Sequence, residues 1–334
     1  MSGAIWAVTE TASREAGGAL KSISNEVIAC GQALAGALGK PLEAVVLGTD
    51  ARAAAETAAK KKLAAVRLID DAKLEPYAPD AFTAALKQAI QAGKPELVLL
   101  PHTYQVRDWV PRLAAELDTG FISDVVAHRV EDGRPVFIRQ PYQGKLNADC
   151  VFIGDSPHLA SLQAGAYLAD DAAAGDSSAE IIAQAVDLSG VATRTEVMET
   201  FQEVENKVDL SRADVIVAVG RGIGKQEKIE VVEALAQALN GQLAASRPVC
   251  DNEWLPMDRQ IGSSGQTVSP KLYVAVGISG AIQHLVGMKN SGTIVAINKD
   301  ANAPIFAVSD YGIVGDLFEV VPAVTARVKE IRGS

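Results

Sequence analysis

Two glycine-rich stretches, each between an apolar run and a helical pattern, carry the chemistry that this 334-residue chain can offer. At Gly220-Arg221-Gly222-Ile223-Gly224-Lys225, and again around Gly277, Ser279 and Gly280, the chain should leave a strand, turn through glycine and enter a helix. That arrangement points backbone N–H groups at an anion and adds the positive end of a helix dipole, so a phosphate is the ligand expected. The first stretch is spaced GxGxG, not GxGxxG, and so is no dinucleotide fingerprint. As a P-loop it is one residue short, and Gln226 stands where a magnesium-binding Ser or Thr belongs, which disfavours ATP hydrolysis. Alone, it reads first as a tight turn. The second stretch is richer, because Ser279, Gly280, Ala281 and Ile282 should open a helix directly beneath Gln283 and His284.

Between these stretches lies a segment of about 25 residues, ASRPVCDNEWLPMDRQIGSSGQTVSPKLY without its ends, too long for an ordinary connection. It brings a guanidinium (Arg247) and hydroxyls (Ser246, Ser263, Ser264, Thr267 and Ser269) toward the carboxyl ends of strands, where open α/β sheets bind ligands. Neither GISG nor GSSG satisfies GxSxG, so a serine nucleophile is discarded.

The elements that must position these residues follow from periodicity. Apolar runs at 4–8, 42–48, 64–69 and 96–101 alternate with helical patterns such as Phe82, Leu86 and Ile90, with Gly93 as the stop, which makes βαβ units and a parallel sheet. Around Asp132-Gly133 two alternating runs predict a hairpin, so antiparallel strands should extend that sheet. The stretch 169–180 is small and polar and reads as a mobile surface loop. Residues 195–205 still alternate as a strand would, and 206–214 reads as the linker. From Asp214 a doubly wound unit is expected, with strands at DVIVAVG, LYVAVG, TIVAIN and PIFAVS and a helix presenting Ile229, Val232, Leu235 and Leu239 before Asn240-Gly241. The fold class is therefore α/β, with an N-terminal domain over 1–205 and a C-terminal doubly wound domain over 206–334.

Composition narrows the function. A hydrophobic fraction of 48% with 22% charged residues suits a soluble globular chain, and a net charge of −10 argues against a nucleic-acid surface. No apolar run is long enough to span a bilayer, and no secretory leader precedes the first strand, so a cytoplasmic protein of bacterial type or a processed mitochondrial chain is expected. Cys30, Cys150 and Cys250 are too widely spaced for a disulfide framework and are expected to be reduced and buried. His102, His128 and His158 are too scattered to argue a metal site.

The run LYVAVGISGAIQHLVGMKNSGTIVAINKDANAPIF closely resembles the alpha subunits of the electron transfer flavoproteins. The resemblance holds from about Val215 to Phe318 and, more weakly, through the N-terminal half, including RDWVPRLAAELDTGFISDVV. It implies FAD as cofactor, a beta subunit as heterodimer partner clamped by the N-terminal domain, flavoprotein dehydrogenases as donors and a quinone-linked or other redox acceptor. It implies an electron carrier that passes two electrons singly through a flavin semiquinone, not an enzyme with its own substrate. By the same resemblance, Arg221 and Ser246 look like FAD contacts and Arg247 like the arginine over the isoalloxazine. The turn Ile261-Gly262-Ser263-Ser264 resembles a ring-contacting VGQTG, with Ser263-Ser264 replacing Gln-Thr and Ser264 keeping the hydroxyl expected at N5. Ser279, Gly280, Ala281, Ile282, Gln283 and His284 resemble the segment around the pyrimidine edge, with His284 facing O2. Asn298, Asp316 and Leu317 match positions on the ribose and adenine side. On the residues alone two other readings stay open, an NAD-using enzyme and a non-redox nucleotide-binding scaffold, and flavin colour separates both from the carrier.

Overall fold

The computed structural model describes residues 3–12, 18–195, 197–198, 210 and 213–332. Most of the strand-like stretch 195–205 and of the linker expected at 206–214 lies outside the described residues. The chain divides into two compact units, Met1–Pro141 with Lys145–Phe201, and Gln202–Ser334 with Tyr142–Gly144.

The first unit holds strands β1 (Ile5–Val8), β2 (Leu42–Gly48), β3 (Ala65–Asp70), β4 (Leu97–Pro101), β5 (Phe121–Glu131), β6 (Arg134–Arg139), β7 (Ala148–Cys150), β8 (His158–Leu162) and β9 (Glu180–Ala183). They form one sheet in the order β7-β6-β5-β8-β4-β1-β2-β3-β9. All pairings are parallel except β5 with β6 and β6 with β7, which form the antiparallel extension. Asp132 and Gly133 both have positive φ (49° and 73°), the conformation a two-residue hairpin turn needs. Its helices are α1 (Ser22–Leu38), α2 (Arg52–Ala59), α3 (Pro79–Gly93) and α4 (Tyr104–Glu116), and the single turn α5 (Pro141–Gly144) belongs to it only through Pro141.

Strand alternation divides the core. From β1, Ile5 and Ala7 join the cluster with Val27, Cys30 and Leu34 of α1, while Trp6 and Val8 join Phe82, Leu86 and Trp109 of α3 and α4. Gly93 is not the stop that its type suggests. It is the last helical residue, and Lys94 takes the left-handed cap (φ 47°). A Cβ on Gly93 would lie 2.3 Å from Cζ2 of Trp6, so glycine is there to let the indole close against the helix. The polar stretch after residue 169 is also not free. Gln32 bonds Ala173 through both its amide atoms (3.0 and 2.8 Å), and Gly175 N donates to the Lys60 carbonyl at 2.9 Å. Those backbone bonds deliver β9 to the edge of β3. Cys30 and Cys250 are buried as expected, but Cys150, on the terminal strand β7, is half-buried.

The second unit is built on β10 (Val215–Val219), β11 (Gln242–Ser246), β12 (Gln260–Ile261), β13 (Leu272–Val276), β14 (Thr293–Asn298) and β15 (Tyr311–Val314). Their order, β12-β11-β10-β13-β14-β15, is that of the doubly wound dinucleotide fold, with every pairing parallel and the order reversing between β10 and β13. The helices are α6 (Glu230–Ala238), α7 (Arg247–Asp251), α8 (Ile282–Leu285) and α9 (Leu317–Arg332). Val217 and Val219 pack with α6 and α9, and Ile216 and Ala218 pack under the segments carrying Ile261, Val268, Met288 and Ile305. Two expectations are corrected. PIFAVS is no strand: Pro304 opens a 3-10 turn over Pro304–Val308, and the sixth strand is Tyr311–Val314, held at its start by Asp310, whose carboxylate accepts from Ile294 N at 2.8 Å. The segment expected as a long loop after Ser246 contains α7, a further 3-10 turn and the two-residue strand β12.

Candidate functional site

Because all six strands of the second sheet run the same way, their carboxyl ends share one edge, and a cleft of about 870 Å³ opens there. Its floor lies at the strand-order reversal. Gly220 N donates to the Val276 carbonyl (2.8 Å) and Gly222 N to the Gly277 carbonyl (3.0 Å), which locks the two glycine-rich turns together. A Cβ on Gly220 would sit 2.3 Å from the Gly277 oxygen, so this approach requires glycine.

The structure brings twelve of the sixteen expected residues to the cleft wall. Arg221 follows β10, Ser246 ends β11, and Arg247 starts α7. Ile261 ends β12 and leads into Gly262, Ser263 and Ser264; Ser279, Ala281, Gln283 and His284 follow β13, and Asn298 ends β14. Four do not line it. Gly280 lies between lining residues at φ +87° with its Cβ direction blocked by Ile305 N at 2.3 Å, and Ile282 is half exposed. Asp316 caps α9, its carboxylate accepting from Phe318 N at 2.8 Å, and Leu317 is buried in the core with Val321. The sequence reading missed Pro248, Asp251, Ile278, Asp300, Ala303 and Pro304 as lining residues. For Asp300 to Pro304 the signal was available, since these residues directly follow a strand on the same edge of the sheet.

Hydrogen bonds fix most of this wall. Ser263 N donates to the Gln283 carbonyl (2.8 Å), tying the serine turn to α8. Buried Gln260 donates through Nε2 to Oγ of Ser264 (3.0 Å), which leaves the serine proton for another acceptor. Asn298 Nδ2 donates to the Ile278 carbonyl at 2.8 Å. Arg247 and Asp251 form an exposed i,i+4 pair at 3.3 Å. Since α8 is a single turn, its dipole is small, and the positive charges on the cleft wall are those of Arg221 and Arg247, matched in number by Asp251 and Asp300.

His284 is 6% exposed. Its Nε2 lies 3.0 Å from the Tyr273 hydroxyl, and Nδ1 is buried with no hydrogen-bond partner. Burial pushes the imidazole down to about 4 from its ordinary 6.5, and the backbone of Ile261 opposes the shift only in part. The ring is therefore neutral near pH 7. Between its unfolded and folded values the unfolded chain takes up a proton that the folded unit refuses, so this contribution to stability is whole above about pH 6.5 and lost as pH falls toward 4. The full loss is on the order of 3 kcal/mol. In denaturant titrations across that window, wild-type stability should fall more steeply than that of His284→Gln, and parallel curves would remove the buried imidazole from the acid response.

Residues 9–189 match the electron transfer flavoprotein domain, and residues 209–289 match the electron transfer flavoprotein FAD-binding domain. The chain is 38% identical over 314 residues to the electron transfer flavoprotein subunit alpha of Bacillus subtilis, covering 94% of this chain and 95% of that one. The chain belongs to the electron transfer flavoprotein alpha family. Other relatives include the subunit alpha of Mycobacterium leprae (38% identical, 95% of this chain and 96% of the other) and the acryloyl-CoA reductase electron transfer subunit beta of Anaerotignum propionicum (35% identical, 94% and 93%). The cleft lies largely within and just beyond the part matching the family's FAD-binding domain. Its residues fit that cofactor: the volume suits a large ligand, the glycine turns let backbone approach closely, and a buried imidazole nitrogen lacks a partner.

Proposed function

We propose that the second unit holds FAD in this cleft, and that the chain, paired with a beta subunit, carries electrons from flavoprotein dehydrogenases to a quinone-linked or other redox acceptor. One observation carries the reading: residues from five strand ends meet in a single cleft, with hydroxyls, guanidinium groups and an unpartnered imidazole nitrogen on its wall. FAD, when bound, supplies reversible uptake and release of electrons. Arg247 places positive charge at the cleft wall, Ser264 offers a hydroxyl proton, and His284 offers its uncommitted nitrogen. Ser279, Ala281 and Gln283 shape the wall beside the imidazole, while Arg221 and Asn298 stand at the ends of β10 and β14, on either side of β13, placed to hold the rest of a dinucleotide. The name of the Anaerotignum relative supports acyl-CoA oxidoreductases as one class of redox partner.

The test is co-expression with a beta subunit and a count of flavin in the purified pair. About one FAD per heterodimer should be released on denaturation, and Ser264→Ala should shift the visible spectrum of the bound flavin. A colourless pair sinks the proposal.

A further inference from the structure

The hydroxyl of Tyr273 and the imidazole of His284 form a closed polar pair inside the second unit. Tyr273 stands on β13 with no exposed surface, in a cluster whose other members are apolar. Its hydroxyl lies 3.0 Å from Nε2 of His284, and it makes no other hydrogen bond among the described residues. A phenol has one proton to give, and leaving it buried without an acceptor costs about 1–3 kcal/mol. The one acceptor in reach is Nε2, so the tyrosine O–H donates to it.

The rest follows from imidazole chemistry. A neutral ring has one N–H and one lone pair, and a nitrogen that accepts from tyrosine cannot also carry the proton. The proton is on Nδ1, the atom without a partner, and His284 is part of the cleft wall.

We propose that Tyr273 is a positioning residue that fixes His284 as a neutral Nδ1–H donor, so that the imidazole offers a proton, not a lone pair, to an acceptor atom of the ligand in the cleft. The identity of that acceptor, a flavin carbonyl, rests on the FAD reading. The tautomer does not. With a phenylalanine at 273 the ring would lose the partner that discriminates its two nitrogens, and both tautomers would become accessible.

The experiment uses the heterodimer labelled with [15N]histidine, whose alpha chain has four histidines, with His284→Gln to assign the signal. At neutral pH the wild-type His284 nitrogens should show Nδ1 protonated and Nε2 bare. Tyr273→Phe should abolish that single tautomer, leave the signals of His102, His128 and His158 in place, and weaken FAD binding about fivefold. A wild-type His284 protonated on Nε2, or on both nitrogens, overturns the assignment, as does a Tyr273→Phe protein that keeps both the Nδ1–H state and its affinity. The wild-type spectrum decides alone should the variant not fold. A heterodimer without flavin whose His284 is still protonated on Nδ1 refutes the FAD reading and supports the role of Tyr273.

Discussion

Replacing Gly280 with alanine should strip the flavin from the purified heterodimer, raising the FAD dissociation constant roughly a hundredfold, the equivalent of about 2.7 kcal/mol. Gly280 sits at φ +87°, and an added Cβ would lie 2.3 Å from Ile305 N, 2.7 Å from Ile305 Cα and 2.8 Å from the Pro304 carbonyl carbon. All three are backbone atoms, so no side chain can swing aside. Ile305 N donates to the Ser279 carbonyl at 3.0 Å, and relief of the clash must break that bond. Ser279 and Ala281 on one side, and Ala303 and Pro304 on the other, all face the cleft, so its wall opens. Left-handed strain of about 1 kcal/mol and overpacking of about 1–3 kcal/mol together reach the stated loss. Gly36→Ala is the control, since nothing lies within 4 Å of its Cβ position on the exposed side of α1; it should keep its FAD and melt slightly higher. Flavin retained through gel filtration by Gly280→Ala, at the wild-type ratio, would show that the close approach of these two segments is not needed.

The second large effect is electrical. With His284 neutral, the charged side chains on the cleft wall are Arg221, Arg247, Asp251 and Asp300, two of each sign, which sum to zero. Arg247→Ala leaves the wall one negative charge in excess, and an electron arriving on the cofactor meets a less favourable field. Arg247 is two-thirds exposed, so its contribution is screened to roughly 1 kcal/mol, or on the order of 50 mV for one electron. The midpoint potential should move negative by that amount, and Arg247→Lys should recover most of it. A reductive titration of Arg247→Ala that overlays the wild type would take Arg247 out of the electrostatic account. His284→Ala should shift the potential less than Arg247→Ala, because it removes a donor and not a charge.

Seven of the parallel strands, β1 to β4, β10, β13 and β14, were legible because buried β-branched runs such as LEAVVLG and DVIVAVG have no other good reading at that length. PIFAVS is similarly apolar and became a 3-10 turn, because the proline at its start and the Asp310 bond to Ile294 N place the last strand seven residues later. Gly93 shows the same limit in a helix. Its type signals a stop, whereas the indole of Trp6, almost ninety residues away in sequence, is what demands it. In the site, the glycine turns and Ser246-Arg247 could be read because they sit at the ends of recognisable strands. The Tyr273–His284 pair could not, since eleven residues, a strand end and a turn separate two side chains that meet only in the interior.

The pairing of β9 with β3 has a consequence during synthesis. Ala65 must wait for Glu180, which a ribosome adds 115 residues later. At roughly 5–20 residues per second that interval is on the order of ten seconds. Throughout it the nascent chain presents β3 as an uncovered ladder, the kind of edge that recruits neighbouring polypeptides on a crowded polysome.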